Sequence, residues 1–262
     1  MRNLRDRRVV ITGASSGFGA AGALAFAREG ARLFLGARRT RQLGEVASAC
    51  HAAGSPCVEF LELDVAKTAS VGRFAREVDR RFGGVDLLVN NAGGAHGLDP
   101  VASGRDDDWE AMVQSNFLGL LRVTRALLPL IVRDSGGWIL NIGSIAAHRA
   151  YEGGAVYCGV KAGVRLVTEA LRLELNGTGI RVGILDPGMA ETEFSEVRFK
   201  GDLERARAVY SGVIPLNAAD VAEAMVWMAS RPPHVCVDEL VLKPTDQASF
   251  HKIHRRDLPL SG

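Results

Sequence analysis

Aromatic residues are scarce in this chain, at 6% of 262 positions, and there are only four cysteines. Cys50, Cys57, Cys158 and Cys236 form no Cys-x-x-Cys pair and no Cys/His metal spacing. That excludes a disulfide-stapled scaffold and a structural zinc site, and reads as reduced thiols. His251-x-x-His254 is too isolated to add a metal site, so no metal is expected. No apolar run approaches the ~18–20 residues that cross a bilayer. A strong charge of either sign is also missing: the formal net charge is +2. Arginines at 2, 5, 7 and 8 and the His254-Arg255-Arg256 cluster therefore read as solvated ends, and neither nucleic acid nor a membrane is an expected partner. The basic first residues lead into the strand-length run 9–12 rather than a secretory leader, which points to a cytoplasmic location. Linkers, repeats and low-complexity segments are absent, so 1–262 is expected to form one domain.

What the chain does have is a regular alternation. Short apolar runs at 9–12, 32–36, 57–63, 86–90, 138–142, 181–185 and 239–242 read as strands. Helical patterns lie between them near 18–29, 40–53, 69–82, 107–134, 156–176 and 218–230. The strand runs are almost continuously apolar, as required when both faces of a parallel sheet are covered. The expected fold class is α/β: a doubly wound, Rossmann-type parallel sheet of seven strands with helices on both faces. The least regular stretch, 187–217, reads as a flap over a site, and 244–262 as a polar tail, mobile or docked on a neighbouring subunit.

The first strand runs into Thr12-Gly-Ala-Ser-Ser-Gly-Phe-Gly19. Gly13, Gly17 and Gly19 let the backbone turn tightly and approach a pyrophosphate, which the free amides of a helix N-terminus favour. Ser15, Ser16 and Phe18 belong to the same turn. At the end of the second strand, where an NAD site usually places an acid, this chain has Arg38 and Arg39. A guanidinium matches a ribose 2′-phosphate, so the expected cofactor is NADP(H), with Arg38 preferred over Arg39 and Ser15 helping. Asp64 and Val65 follow the third strand; the Asp64 carboxylate suits an adenine amino group. Asn90, Asn91, Ala92 and Gly93 end the fourth, with Asn91 as scaffold and Asn90 and Gly93 close to the cofactor.

Tyr157 and Lys161 stand four residues apart, on one face of a helix. A free phenol has a pKa of about 10, and a nearby ammonium lowers it towards a usable acid or base. A tyrosine and a lysine at this spacing are, by themselves, more often a surface pair. Ser144, just past the 138–142 run, offers a second hydroxyl to the same reacting oxygen.

Thr-Gly-x-x-x-Gly-x-Gly at 12–19, Asn-Asn-Ala-Gly at 90–93, Asn116, Ser144, Tyr157-x-x-x-Lys161 and Pro187-Gly188 together resemble the short-chain dehydrogenase/reductase family. The resemblance spans nearly the whole chain and implies an alcohol–carbonyl oxidoreductase. It implies Tyr157 as general acid/base, Lys161 lowering its pKa and binding the nicotinamide ribose, and Ser144 polarising the substrate oxygen. It further implies Asn116 holding a water that connects Lys161 to solvent, and 142–144, Pro187, Gly188 and Thr192 lining the nicotinamide. Residues 192–202, with Tyr210, Gly-Phe-Gly at 17–19 and 232–235, are similar to NADP-dependent 3-hydroxy acid dehydrogenases acting on serine or 3-hydroxypropanoate-like acids. Such a substrate needs a cation for its carboxylate. Arg198, Lys200 and Arg149 are candidates, with Arg198 favoured. His96 reads as a loop residue rather than a pocket residue. A broad carbonyl reductase and a non-catalytic NADP(H)-binding protein are the alternatives. The apolar helices 107–134 and 156–176 imply, by the same resemblance, a homotetramer, or else a homodimer.

Overall fold

The computed structural model describes residues 3–131 and 136–256. Seven strands are present: β1 (Arg8–Thr12), β2 (Arg32–Ala37), β3 (Val58–Glu62), β4 (Leu87–Asn90), β5 (Trp138–Ile142), β6 (Arg181–Pro187) and β7 (Glu239–Leu242). They form one parallel sheet in the order β3-β2-β1-β4-β5-β6-β7. The order in which strands are added reverses between β1 and β4, and a doubly wound sheet opens its ligand crevice there, at the strand carboxyl ends.

Side chains alternate across each strand, which divides the core into two layers. Val9, Ile11, Leu33, Leu35, Val89 and Leu140 face α1 (Gly17–Arg28), α2 (Thr40–Ala52) and α9 (Ala218–Ala229). Val10, Phe34, Leu88, Ile139 and Val182 face α3 (Thr68–Phe82), α5 (Gly119–Leu127) and α6 (Ala155–Glu174). The alternation is hidden in the sequence because both faces are apolar.

The segment expected as one helix over 107–134 is broken. It runs as α4 (Asp106–Met112), a π-helical turn at Val113–Leu118, then α5, with 132–134 outside the described residues. The Asn116 side-chain amide donates to the Met112 carbonyl at 3.0 Å, four residues back, and so occupies the acceptor of a regular turn.

The 187–217 region contains two short helices the periodicity did not reveal, α7 (Glu193–Arg198) and α8 (Leu203–Ala208). Thr192 Oγ1 caps the first by accepting from Phe194 N at 3.2 Å, and Asp202 Oδ1 caps the second from Arg205 N at 3.0 Å. The segment 244–256 packs on this chain's own flap: Arg256 N donates to Gly212 O at 2.7 Å, and its guanidinium pairs with Asp246. Residues 257–262 lie outside the described part.

Of the basic residues at the ends, Arg2 lies outside the described residues, and Arg7, Arg8, Arg255 and Arg256 are not simply solvated. Arg7 and Arg8 hold Asp86 at 3.1 and 2.9 Å. Burial pushes the Asp86 carboxyl up, and the hydrogen bonds and charge of the two arginines overcome it, leaving it below its ordinary value. No helix among the described residues is long and apolar enough to cross a membrane.

Candidate active site

Two connected recesses lie over the carboxyl ends of the strands, and Tyr157 borders both. The larger, with about 1730 Å³ of empty space, runs from the β1–α1 turn past the ends of β2 and β3 to Lys161. Gly13 (φ +67°) and Gly17 (φ +52°) take the left-handed conformation this turn requires. A Cβ on Gly13 would sit 2.8 Å from Ala92 Cα, and one on Gly19 would sit 2.4 Å from Gly13 O. Gly19 thus serves the packing of helix against turn and does not line the recess. Asn91 ties β1 to β4: its side-chain amide donates to Thr12 O at 3.0 Å and Gly13 O at 3.2 Å. Thr12 Oγ1 accepts from Asn91 N and Ala92 N, both at 3.0 Å.

Ser15, Ser16, Phe18, Arg38, Arg39, Asp64, Val65, Ala92, Gly93 and Thr192 all line this recess. Asn90 does not. It is buried beneath the wall, donating to Thr124 Oγ1 and Asn141 Oδ1 at 2.9 Å each, so its role is internal support. Arg38 is exposed and makes no hydrogen bond or ion pair with another described residue. Arg39 pairs with Glu193 of α7 at 2.9 Å and bonds Ser15 and Ser16. The floor is glycine-rich, and two arginines stand where a 2′-phosphate would lie. A pyrophosphate-bearing nucleotide fits these residues. His96 sits on its loop, as expected, but it also faces the recess. Burial lowers its pKa, with Asp108 opposing.

The second recess, with about 810 Å³ of empty space, lies beyond Tyr157 and is bordered by Ser144, Pro187, Gly188, Thr192 and Arg198. Ser144, Tyr157 and Lys161 meet where the two recesses join. Lys161 Nζ donates to Ile142 O at 3.0 Å and stands 5.8 Å from the Tyr157 ring centre. Burial pulls the Lys161 pKa down to about 8, with the buried Asp186 opposing that shift. Burial pushes the Tyr157 phenol above its ordinary value, while a hydrogen bond with Ser144 and the charge of Arg198 draw it back. In this arrangement desolvation is the largest influence on the phenol, and Ser144 is its leading opponent.

Asn116 lines neither recess. It clamps the 93–94 loop, donating to Gly94 O at 2.8 Å and accepting from Gly94 N at 3.2 Å. A Cβ on Gly93 would meet Asn116 Oδ1 at 2.4 Å, so that glycine and the π-turn fit each other.

The three candidate cations separate clearly. Arg149 is exposed and, among the described residues, bonds only the neighbouring His148 carbonyl, at 2.9 Å. Lys200 pairs with Asp108 at 2.8 Å. Arg198 borders the second recess, 5.9 Å from the Tyr157 ring centre, and donates to Tyr151 Oη at 2.9 Å and Gly97 O at 3.0 Å.

Sequence reading missed several neighbours. Asp186 accepts from Ser144 N at 2.8 Å and meets His148 Nε2 at 2.8 Å, fixing the serine's backbone. The signal was an acid directly after the apolar run 182–185. Tyr151 and Phe250, stacked with centres 4.7 Å apart, and Phe194, 5.6 Å from Tyr157, wall the second recess. Tyr151 and Phe250 come from irregular segments and Phe194 from the six-residue α7, and no periodicity announces their packing.

Comparison with known proteins agrees with this geometry. The short chain dehydrogenase family model matches residues 7–202. An NADP-dependent 3-hydroxy acid dehydrogenase from Schizosaccharomyces pombe is 37% identical over 98% of this chain and 99% of its own length. A serine 3-dehydrogenase from Agrobacterium fabrum is 38% identical over 92% of this chain and 94% of its own. Among solved structures, the closed form of serine dehydrogenase complexed with NADP⁺ superposes with a TM-score of 0.88 at 36% identity, covering 95% of this chain and 100% of that one.

Proposed function

We propose, from the premise that this chain belongs to the short-chain dehydrogenase family, that it is an NADP(H)-dependent oxidoreductase interconverting short 3-hydroxy acids and their 3-oxo counterparts. The names of the relatives support NADP, as do Arg38 and Arg39 where a discriminating acid is usual. The glycine turn, Asp64–Val65, the 92–93 backbone, Pro187–Gly188 and Thr192 would hold the nucleotide. When bound, it supplies the hydride acceptor or donor.

The rest is the work of the protein's own side chains. In the oxidative direction Tyr157 takes the hydroxyl proton, and in reduction it returns one to the developing alkoxide. Ser144 Oγ donates to the same substrate oxygen, held in place by the Asp186 contact to its backbone. Lys161, charged below about pH 8, favours the phenolate and binds the ribose hydroxyls. Asn116 acts by fixing the loop that carries Gly93 and Gly94.

The observation that carries the acid assignment is Arg198. It borders the recess beside Tyr157, none of the residues lining that recess is acidic, and its charge has no carboxylate partner among the described residues. A substrate carboxylate would supply one. Arg198→Met is expected to lower kcat/KM for 3-hydroxypropanoate about 10- to 100-fold, mostly through KM, because a charge-assisted contact is worth about 1.5–3 kcal/mol. Uncharged alcohols of similar size should lose little. Steady-state kinetics on both classes checks this, and an unchanged KM for the acid would remove the assignment.

Four free thiols support a reducing cytosolic location, and exposed Leu166 and Leu173 on α6 support a homotetramer paired through that helix.

A further inference from the structure

The second recess also bears on what the substrate carries besides its carboxylate and hydroxyl. Its walls are apolar surface from Tyr151, Phe194, Phe199, Val209, Phe250 and Ile253. The polar side chains among them are already engaged. Ser195 and Tyr210 bond each other at 2.6 Å, and Tyr210 donates on to Ala190 O at 2.9 Å. Gln247 Oε1 accepts from Met189 N at 2.8 Å. Ser144 and Tyr157 offer two hydroxyls for one oxygen, and Arg198, whose bonds go to the neutral oxygens of Tyr151 and Gly97, offers one cation for a carboxylate. Among the described residues, neither aspartate nor glutamate lines the recess.

We infer that this site selects 3-hydroxy and 3-oxo acids that lack an amino group on carbon 2 and bear an apolar chain beyond the hydroxyl carbon, so that serine is a poor substrate. The inference rests on the preceding reading. With the carboxylate on Arg198 and the hydroxyl on Tyr157, carbon 2 lies between them. An ammonium there is desolvated, lies near a guanidinium and gains no carboxylate from the described residues of the protein to offset the loss of water, which is a costly way to bury a charge. A chain on the far side of the hydroxyl carbon meets the Phe194 and Phe250 surfaces, and each methylene it buries strengthens binding.

The test uses matched pairs oxidised with NADP⁺. Serine against 3-hydroxypropanoate differs only by the amine, and 3-hydroxybutanoate against 3-hydroxyhexanoate only by two methylenes. The expected result is a kcat/KM for serine at least ~100-fold below that of 3-hydroxypropanoate. From butanoate to hexanoate it should rise by about fourfold per methylene. Phe250→Ala should lower the hexanoate value by a larger factor than the propanoate value. Serine equal to 3-hydroxypropanoate, or hexanoate no better than butanoate, overturns this inference and leaves the carboxylate reading standing. The methyl ester of 3-hydroxyhexanoate separates the two: if it matches the free acid, the carboxylate reading itself falls, and this inference with it.

Discussion

Tyr157→Phe is expected to lower kcat for 3-hydroxy acid oxidation by about 10²–10⁴-fold, the usual contribution of a positioned general base. The substitution removes one oxygen and keeps the ring, so the contacts with Phe194 at 5.6 Å and Arg198 at 5.9 Å persist. Nucleotide affinity should stay close to that of the parent, because the glycine turn and the two arginines are untouched. The residue is buried, at 8% exposure, and that burial is what makes the phenol a reluctant base when nothing occupies the site. Lys161 supplies the compensating charge only while protonated. Its pKa of about 8 means that charge is present below pH 8 and lost above it. Stopped turnover with retained NADPH binding, measured by the fluorescence of the reduced nucleotide, would fit a general base. Near-normal kcat would remove Tyr157 from the chemistry.

The second large effect concerns the nucleotide. Replacing Arg38 and Arg39 together with alanine is expected to raise KM for NADP⁺ by about 10²-fold or more, since two charge-assisted phosphate contacts are lost. KM for NAD⁺, which lacks the phosphate, should hardly move. The singles should differ. Arg39 is already held by Glu193 and the Ser15 and Ser16 hydroxyls, so its guanidinium must trade partners to meet a phosphate. Arg38 has no partner to release among the described residues. Arg38→Ala is therefore expected to be the more damaging of the two, and equal, small effects on both nucleotides would place the phosphate elsewhere.

The seven strands and the doubly wound class were legible because most strands are apolar runs flanked by a helix period, and both signals are local. The span read at 138–142 coincides with β5, and the other strands agree to within two residues at either end. What was not legible depends on a single side chain or on distant packing. The π-turn arises from the Asn116 amide taking the Met112 carbonyl, a choice that propensity does not encode. The helices of the flap span six residues each, too short for a period to show. At the site, the motif positions Ser144, Tyr157 and Lys161 were readable because their spacing is written in one segment. The Asp186 support of Ser144 and the Phe250 wall were not, because 42 residues separate the first pair and the second comes from the tail. Asn90 and Gly19 show the opposite error: both sit in a recognisable motif, yet they serve the packing beneath the recess rather than its wall.

The most direct test of an NADP-linked 3-hydroxy acid oxidoreductase is to follow the transferred hydrogen. The enzyme would be given NADP⁺ and 3-hydroxypropanoate deuterated at its hydroxyl-bearing carbon, and the reduced nucleotide analysed by mass spectrometry. Deuterium retained on the nicotinamide of NADPH, with 3-oxopropanoate formed alongside, is the predicted result. No NADPH, or NADPH without the label, would contradict it.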